Sequence, residues 1–455
     1  MDDSESKPVS GLGGRGEDAK VERQRLMFDP WLVTSSDSVD GVISNLRATY
    51  GMRYPSQRKR KQKARDAASF ERIFRAIYVN LAYAAALGAS PPAVAISLRS
   101  YRQKHTRYDA QGLSSLPQVV EQLASTGLYL VVRRSTQRQI ASTIETRVTA
   151  FKWETKKGSF TALPEHFGRV EGRELIRLSR SIRHRYEEAE EDQSDHDREG
   201  KLVDYTEDTE SSRRYRAELL RINRHLAGAQ LGLEADLPAR MGVFAQRELC
   251  RYFKLPEGED KPRFDLCGRL FGGWWQELPS SQRHHIRIDG EPIADLDFRS
   301  MFLRLAYLRA GLPSPAAGDL YAGVWRGTKF RDGLKKVVNA MLFRTTPLTK
   351  FPRGAKQLFP RGASASEVRE AILAAHHSVA HMFEAGVGLS LMFTESEIMV
   401  ATLLRLVDQG VTALPMHDGL MVAASKAATA RKAMEEAARD FTGFRLPTTT
   451  KLYRR

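Results

Sequence analysis

Two aspartates stand where an acidic side chain is costly. Asp297 closes a short apolar run, Pro292–Leu296, that reads as a strand broken only by Asp295. A helical pattern carrying Met301, Phe302, Leu305, Ala306 and Leu308 follows at once. Asp418 lies between the two apolar runs of VTALPMHDGLMV, Val411–Val422. A carboxylate at the exit of a buried strand is unfavourable unless it is paired or binds a metal. Either Asp alone would serve as a turn cap. Two such strands side by side would present both carboxylates to a pair of divalent ions, and the chemistry of that arrangement is metal-assisted nucleotidyl transfer.

The residues between and before them extend the pattern. In GDLYAGVWRGTKFRDGLKKVVNAMLFR, Gly318–Arg344, residues Arg331, Lys335, Asn339 and Phe343 recur every fourth position, which sets them on one face of a helix. Arg and Lys one turn apart form a ladder suited to a triphosphate, with Lys336 adding charge. Asn339 and Phe343 would lie farther along, near sugar and base. Asp319, Tyr321 and Trp325 precede this helix. Upstream, Phe264–Pro279 reads FDLCGRLFGGWWQELP. Its glycines at 268, 272 and 273 allow tight turns and close backbone approach. Arg269 and Gln276 in that segment suit contacts to a primer or template, although a Trp-packed loop would look the same. Arg283 and Arg287 flank the approach to the strand that ends at Asp297.

These stretches together resemble the family A, single-subunit polymerase class, which includes the bacterial repair DNA polymerase and the phage-type RNA polymerases. Asp297–Arg304, DFRSMFLR, resembles motif A, D-Y-S-x-x-E-x-R; Arg331, Lys335, Asn339 and Phe343 resemble motif B; His417-Asp418 resembles the H-D of motif C. Gly268-Arg269-Leu270 is similar to the T-G-R-L segment, with Gln276 and Pro279 as loose matches behind it. The matched region runs from about 265 to 425. It departs from the pattern at Phe302, where the family has Glu, at Asn339 and Phe343 in motif B, and at Arg299, where the family has a small residue.

The resemblance implies two-metal phosphoryl transfer. Asp297 and Asp418, with the Phe298 carbonyl, would hold two Mg²⁺, with Mn²⁺ as an alternative. Arg331 and Lys335 would meet the triphosphate, and Arg304 would take the place of the motif's closing Arg. His417 would brace its turn or touch the primer end. Phe302 would lie beside the 2′ carbon of the sugar and crowd a 2′-hydroxyl, while Phe343 lacks a hydroxyl to bond one, so dNTPs are the expected substrates. DNA template and primer are the implied partners, with RNA a further candidate.

Around this centre the chain reads as an α+β protein, a polymerase right-hand palm with small helical fingers and thumb. A mostly helical, winged-helix-like domain precedes it. The expected divisions are a disordered, basic arm (1–66, with a basic run at 58–65), a nucleic-acid-binding domain (67–160), a helix and acidic linker (161–210), a thumb-like region (211–264) and the palm and fingers (265–455). Helices are expected at Ser69–Leu87, Ala93–Ser100, around Leu116–Leu123, at Arg169–Tyr186, Ser211–Ala229, Leu391–Gly410 and Ala424–Phe441. Ser364 and Glu367 have capping-box spacing and open a further helix to about Ala385, carrying His376, His377 and His381. Strands are expected at Leu128–Val132 and Thr143–Phe151, with Arg133, Arg134 and Arg138 between them as nucleic-acid contacts. Glu395, on the helix before motif C, would lie near the site as an orienter.

The 455-residue chain carries a formal charge of +16, which favours a polyanionic partner. Two cysteines, Cys250 and Cys267, exclude a disulfide framework or a thiolate zinc cluster. No apolar run reaches 18 residues, and the N-terminus reads as neither a signal nor a transit peptide, so a cytoplasmic location and no membrane partner are expected. The oligomeric state is not set by the sequence. The leading expectation is a template-directed DNA polymerase that serves a plasmid, phage or other mobile element. The alternatives are a single-subunit RNA polymerase or primase-polymerase starting chains de novo, and a non-catalytic DNA-binding replication initiator.

Overall fold

A computed structural model describes residues 26–50, 64–86, 93–96, 107–108, 113, 116, 119–120, 131–134, 142–145, 154–155, 158–159, 167–169, 174–180, 202–233, 247–276, 278–315 and 318–453. The chain divides into two compact units: residues 1–103, 112–169 and 237–242 form the first, and residues 104–111, 170–236 and 243–455 form the second.

In the first unit, strands β1 (Leu26–Met27) and β2 (Leu32–Thr34) precede helices α1 (Asp37–Tyr50) and α2 (Ala64–Ala86). Phe70, Ile73, Phe74, Ile77, Leu81 and Ala84 fall on one stripe of α2 and are all buried. Asn80 on the same helix is fully buried, and its amide answers the backbone of Asp29 in both directions at 2.8 Å. Strands β3 (Ala93–Ile96), β4 (Val131–Arg134) and β5 (Ser142–Glu145) join β1 in a sheet of order β1-β3-β5-β4, with β1 and β3 parallel. Segments β6 (Glu154–Thr155) and β7 (Gly158–Ser159) pair as a ribbon, and β8 (Phe167–Arg169) pairs with β2.

The second helix expected at Ala93–Ser100 is therefore corrected: its first four residues are a strand. Val94 and Ile96 are β-branched, and backbone partners lie on both sides, in β1 and β5. Arg133 and Arg134 end strand β4 rather than sitting in the connection after it. Arg138, the basic run at 58–63 and the acidic stretch at 187–200 lie outside the described residues.

The second unit holds two sheets. In the smaller, β9 (Ile176–Arg180) runs parallel to β11 (Cys250–Leu255), which pairs antiparallel with β12 (Cys267–Phe271). The helix expected at Arg169–Tyr186 is thus also corrected. Ile176 and Leu178 are buried, and β11 supplies the strand's hydrogen bonds, so tertiary pairing overrides a sequence that reads as helical.

Helix α3 (Glu210–Ala227) is capped by Thr209, whose side chain accepts from Ser212 N at 3.0 Å. Tyr215, Leu219, Ile222 and Leu226 form its buried side. Three of its five arginines have carboxylate partners. Arg216 pairs with Glu174 and Asp208, Arg214 with Glu397, and Arg221 with Asp408.

The larger sheet has the order β10 (Leu231–Leu233), β13 (Ile286–Ile288), β14 (Glu291–Phe298), β16 (Gly419–Ala423), β15 (Ala413–Met416), with β17 (Thr448–Leu452) also on β14. Central β14 alternates as a strand should: Ala294, Leu296 and Phe298 face the core, while Asp295 and Asp297 are half-exposed on the other side. Helices α4 (Met301–Arg309), α5 (Arg331–Phe343), α6 (Ala365–Ala375), α7 (Gly388–Asp408) and α8 (Ala427–Thr442) complete the unit. Helix α7 is the central support, touching α3, α4, α5, α8, β12 and β15, while α8 packs on β14, β16 and β17. The capping box at Ser364 and Glu367 forms, but α6 ends at Ala375; six 3₁₀ residues, His377–Met382, follow where a continued helix was expected. The result is an α+β unit with an acidic cleft on the open face of its larger sheet.

Candidate active site

The cleft forms because two strands end their apolar duty at the same level. Asp297 pairs in register with Gly419, and Phe298 N donates to the Asp418 carbonyl at 3.2 Å, so the Asp418 turn sits beside the end of β14. Met416 pairs with Gly419, which leaves His417 and Asp418 as the two residues of a hairpin turn. His417 takes the left-handed φ of +56° that such tight turns demand. Gly419 is required by space. A Cβ there would come within 2.6 Å of the Leu296 carbonyl oxygen and 3.2 Å of Asp297 Oδ1. An open cleft of about 410 Å³ results, lined by Asp295, Asp297, Asp418, His417, Arg283 and Lys451 among others.

The electrostatics single out Asp297. Its Oδ1 is buried and has no hydrogen-bond partner. Burial first, and the nearby Asp418 charge second, raise its carboxyl to about 7; Lys335 acts in the opposite direction. Desolvation at the cleft and the Arg269 charge hold the His417 imidazole below its usual value, although the residue as a whole is exposed. Among the described residues, no group of three or more His, Cys, Asp or Glu is arranged as a metal cluster. A divalent Mg²⁺ site needs no such cluster, because this ion keeps waters and substrate oxygens and takes one or two protein carboxylates. The residues present fit that description: hard oxygen donors, one of them an orphaned buried oxygen, beside a glycine that leaves the space open.

Glu395, on α7, is a fully buried carboxylate whose charge reaches Asp297. It receives Arg269 in a two-bond contact at 2.7 and 3.1 Å. Arg269 also lies 5.4 Å from the Phe302 ring, and the Asp418 charge helps keep it protonated. Phe302 packs against Phe343 with ring centroids 5.8 Å apart. Asn339 Oδ1 is buried without a partner, and the charge of Lys335 reaches both Asp297 and Glu395. The structure therefore brings together Asp297, Asp418, His417, Lys335, Arg269, Glu395, Phe302 and Phe343.

Other expected contacts lie elsewhere or are already engaged. Arg331 pairs with Asp319 and Asp332 and lies over the Tyr321 ring, so it must leave Asp319 to meet a phosphate. Arg304 is corrected from a substrate contact to a buried brace. Its guanidinium donates to the carbonyls of Arg299, Pro315 and Gly318 and to Ser314 Oγ, and so holds the loop after α4. Lys336 is exposed on α5, where its Nζ donates to the Gly354 carbonyl at 2.9 Å. Gln276 lines the cleft, but its amide bonds Gly272 N and the carbonyls of Leu270 and Pro415, which ties the Gly-rich turn to β15. Arg283 also lines the cleft while donating to the Leu278 carbonyl. Arg133 and Arg134 belong to the first unit.

Asp295 and Lys451 were missed as cleft residues. They lie opposite each other in register, Asp295 two positions before Asp297 on the same face. The period of two along β14 carries that information for Asp295, and the β-branched run Thr448-Thr449-Thr450 carries it for the strand that bears Lys451.

In class, this is an α+β unit with paired strand-end carboxylates in an open cleft. No protein-family profile matches the chain, and no characterised protein matches it in sequence. In fold it has a remote likeness to the POL domain of Pol1 from M. smegmatis, solved in complex with DNA primer-template and dNTP. The identity is 13% and the TM-score 0.27, over 41% of this chain and 45% of that one. The chain thus spans less than half of that structure's length. Among the described residues, no helix is long and apolar enough to cross a membrane.

Proposed function

We propose that this chain is a template-directed DNA polymerase that adds dNTPs to a 3′-hydroxyl on a DNA template. The observation that carries the reading is the orphaned, buried Asp297 Oδ1, held beside Asp418 across paired strands at an open cleft. When bound by the two carboxylates, Mg²⁺ supplies activation of the attacking hydroxyl and neutralisation of the leaving pyrophosphate. The remaining work falls to side chains. Lys335 offsets charge on the triphosphate from the same side as it now offsets Asp297. Arg331 joins it after exchanging Asp319 for a phosphate oxygen, which trades one charge-assisted bond for another. Phe302, buried against Phe343, bounds the sugar on the side of its 2′ carbon and disfavours a ribose. The basic balance of the whole chain suits a nucleic-acid partner.

The test is an Mg²⁺-dependent extension assay on primed and unprimed DNA, offered dNTPs and rNTPs separately, with Asp418→Ala as control. Primed dNTP extension that is lost in the variant is expected. Products built only from rNTPs without a primer would replace this reading by a primase or RNA polymerase. Activity unchanged by Asp418→Ala would remove the site altogether.

A further inference from the structure

Beside the cleft, one face of the β9-β11-β12 sheet carries a row of flat side chains that the reaction as described does not use. The ring of His417, at the cleft, meets Phe271 edge-on at 5.6 Å. Phe271 meets Tyr252 at 5.3 Å. The Arg177 guanidinium lies 6.0 Å from the Tyr252 ring and 5.5 Å from that of Tyr108. The strand registers make this a continuous row, because Tyr252 is opposite Arg177 on one side and Arg269 on the other, with Phe271 two residues beyond Arg269.

Two members are out of place in an ordinary sheet face. Phe271 is 37% exposed, although an apolar ring on a strand would gain from burial. Arg177 is only 8% exposed, yet its Nε has no hydrogen-bond partner, and no carboxylate among the described residues pairs with it. A desolvated cation without a counter-ion is costly unless an anion arrives from outside. An exposed aromatic ring, a half-buried one beside it and a buried guanidinium with no carboxylate partner among the described residues match one ligand chemistry, a single-stranded nucleic acid, whose bases stack while its phosphates are neutralised.

We propose that Phe271, Tyr252 and Arg177 form a stacking track for single-stranded DNA that ends at His417, beside the Asp297–Asp418 cleft. The inference rests on the polymerase reading for its biological sense, though not for its test. Phe271 and Tyr252 take successive bases and Arg177 a phosphate.

The experiment measures equilibrium binding of the full-length chain to a fluorescein-labelled oligo-dT and to an abasic oligonucleotide with the same number of phosphates, in EDTA and without nucleotides. Wild type should bind oligo-dT about tenfold more tightly than the abasic strand. Phe271→Ala should lose most of that difference and leave abasic binding unchanged, while Phe271→Trp restores it. Arg177→Gln should weaken both strands and reduce the salt dependence by about one phosphate contact. Equal binding of the two oligonucleotides by wild type, or a Phe271→Ala chain of native circular dichroism that still discriminates between them, overturns the track. Because catalysis is not needed, discrimination without nucleotidyl transfer sinks only the polymerase reading. Transfer without discrimination sinks only the track.

Discussion

Burial and a neighbouring carboxylate both work against a charge on Asp297, the Lys335 charge offsets them only in part, and among the described residues no donor reaches its Oδ1. Its folded-state pKa, raised to about 7, lies above the usual carboxylate value. In the cation-free protein the folded state therefore holds a proton that the unfolded chain has already released, and stability falls as pH rises from about 4 to 7. Asp297→Asn removes this penalty. It should stabilise the protein by about 1–3 kcal/mol at pH 8 in EDTA and by much less at pH 5, read from denaturation midpoints. Equal shifts at both values would mean that the carboxylate is not desolvated as described. The same variant should lose at least about a thousandfold in extension rate if the site holds catalytic cations. If Asp297 binds the cation as proposed, protons compete for the same oxygens, so the Mg²⁺ concentration for half-maximal extension should rise as pH drops below about 7. Phe302 bears on sugar choice rather than on rate: Phe302→Ala should narrow any dNTP over rNTP preference by about tenfold or more in kcat/KM. An unchanged ratio would detach this ring from the sugar.

At the level of elements, the cleft depends on a close approach that the chain cannot alter cheaply. Gly419 faces the Leu296 carbonyl across the β14–β16 pairing, and a methyl group there must push the strands apart. Gly419→Ala is expected to cost about 1–3 kcal/mol of stability and to move Asp418 relative to Asp297. It should therefore lose catalysis beyond its loss of folded protein, which activity normalised to the folded fraction would detect. The loop after α4 depends on Arg304, whose four donations leave several oxygens unanswered if it is removed. Arg304→Met should cost about 2–4 kcal/mol, read by urea denaturation. A fall in dNTP affinity with unchanged stability would instead return Arg304 to the substrate role that motif A implies.

For the molecule as a whole, 71 basic against 55 acidic residues favour the nucleic-acid partner proposed above, and salt should weaken such an association. Raising NaCl from 50 to 200 mM should reduce affinity for primed DNA at least about tenfold, measured by fluorescence anisotropy. Much of the candidate site was legible in the chain itself, because strand and helix periods are local. Asp297 after an alternating run, Asp418 in a two-residue turn, the four-residue stripe of α5 and the Ser364–Glu367 capping box all follow from spacing alone. The segments 93–96 and 176–180 were misread as helix because only their neighbours in the sheet decide that they are strands. The sequence by itself determined which residues have the chemistry: two carboxylates, a cationic ladder and an aromatic pair. Only the tertiary structure decided which of those side chains remain available. Arg304 and Lys336 are engaged by loop groups 5 to 18 residues away and Gln276 by Pro415 on a distant strand, while Asp295, Lys451 and the Phe271 row are delivered to the cleft or its edge by strand pairings. The path of an irregular loop and the pairing of distant strands carry no periodic signature, and that is why the chemistry could be read from the chain and its division of labour could not.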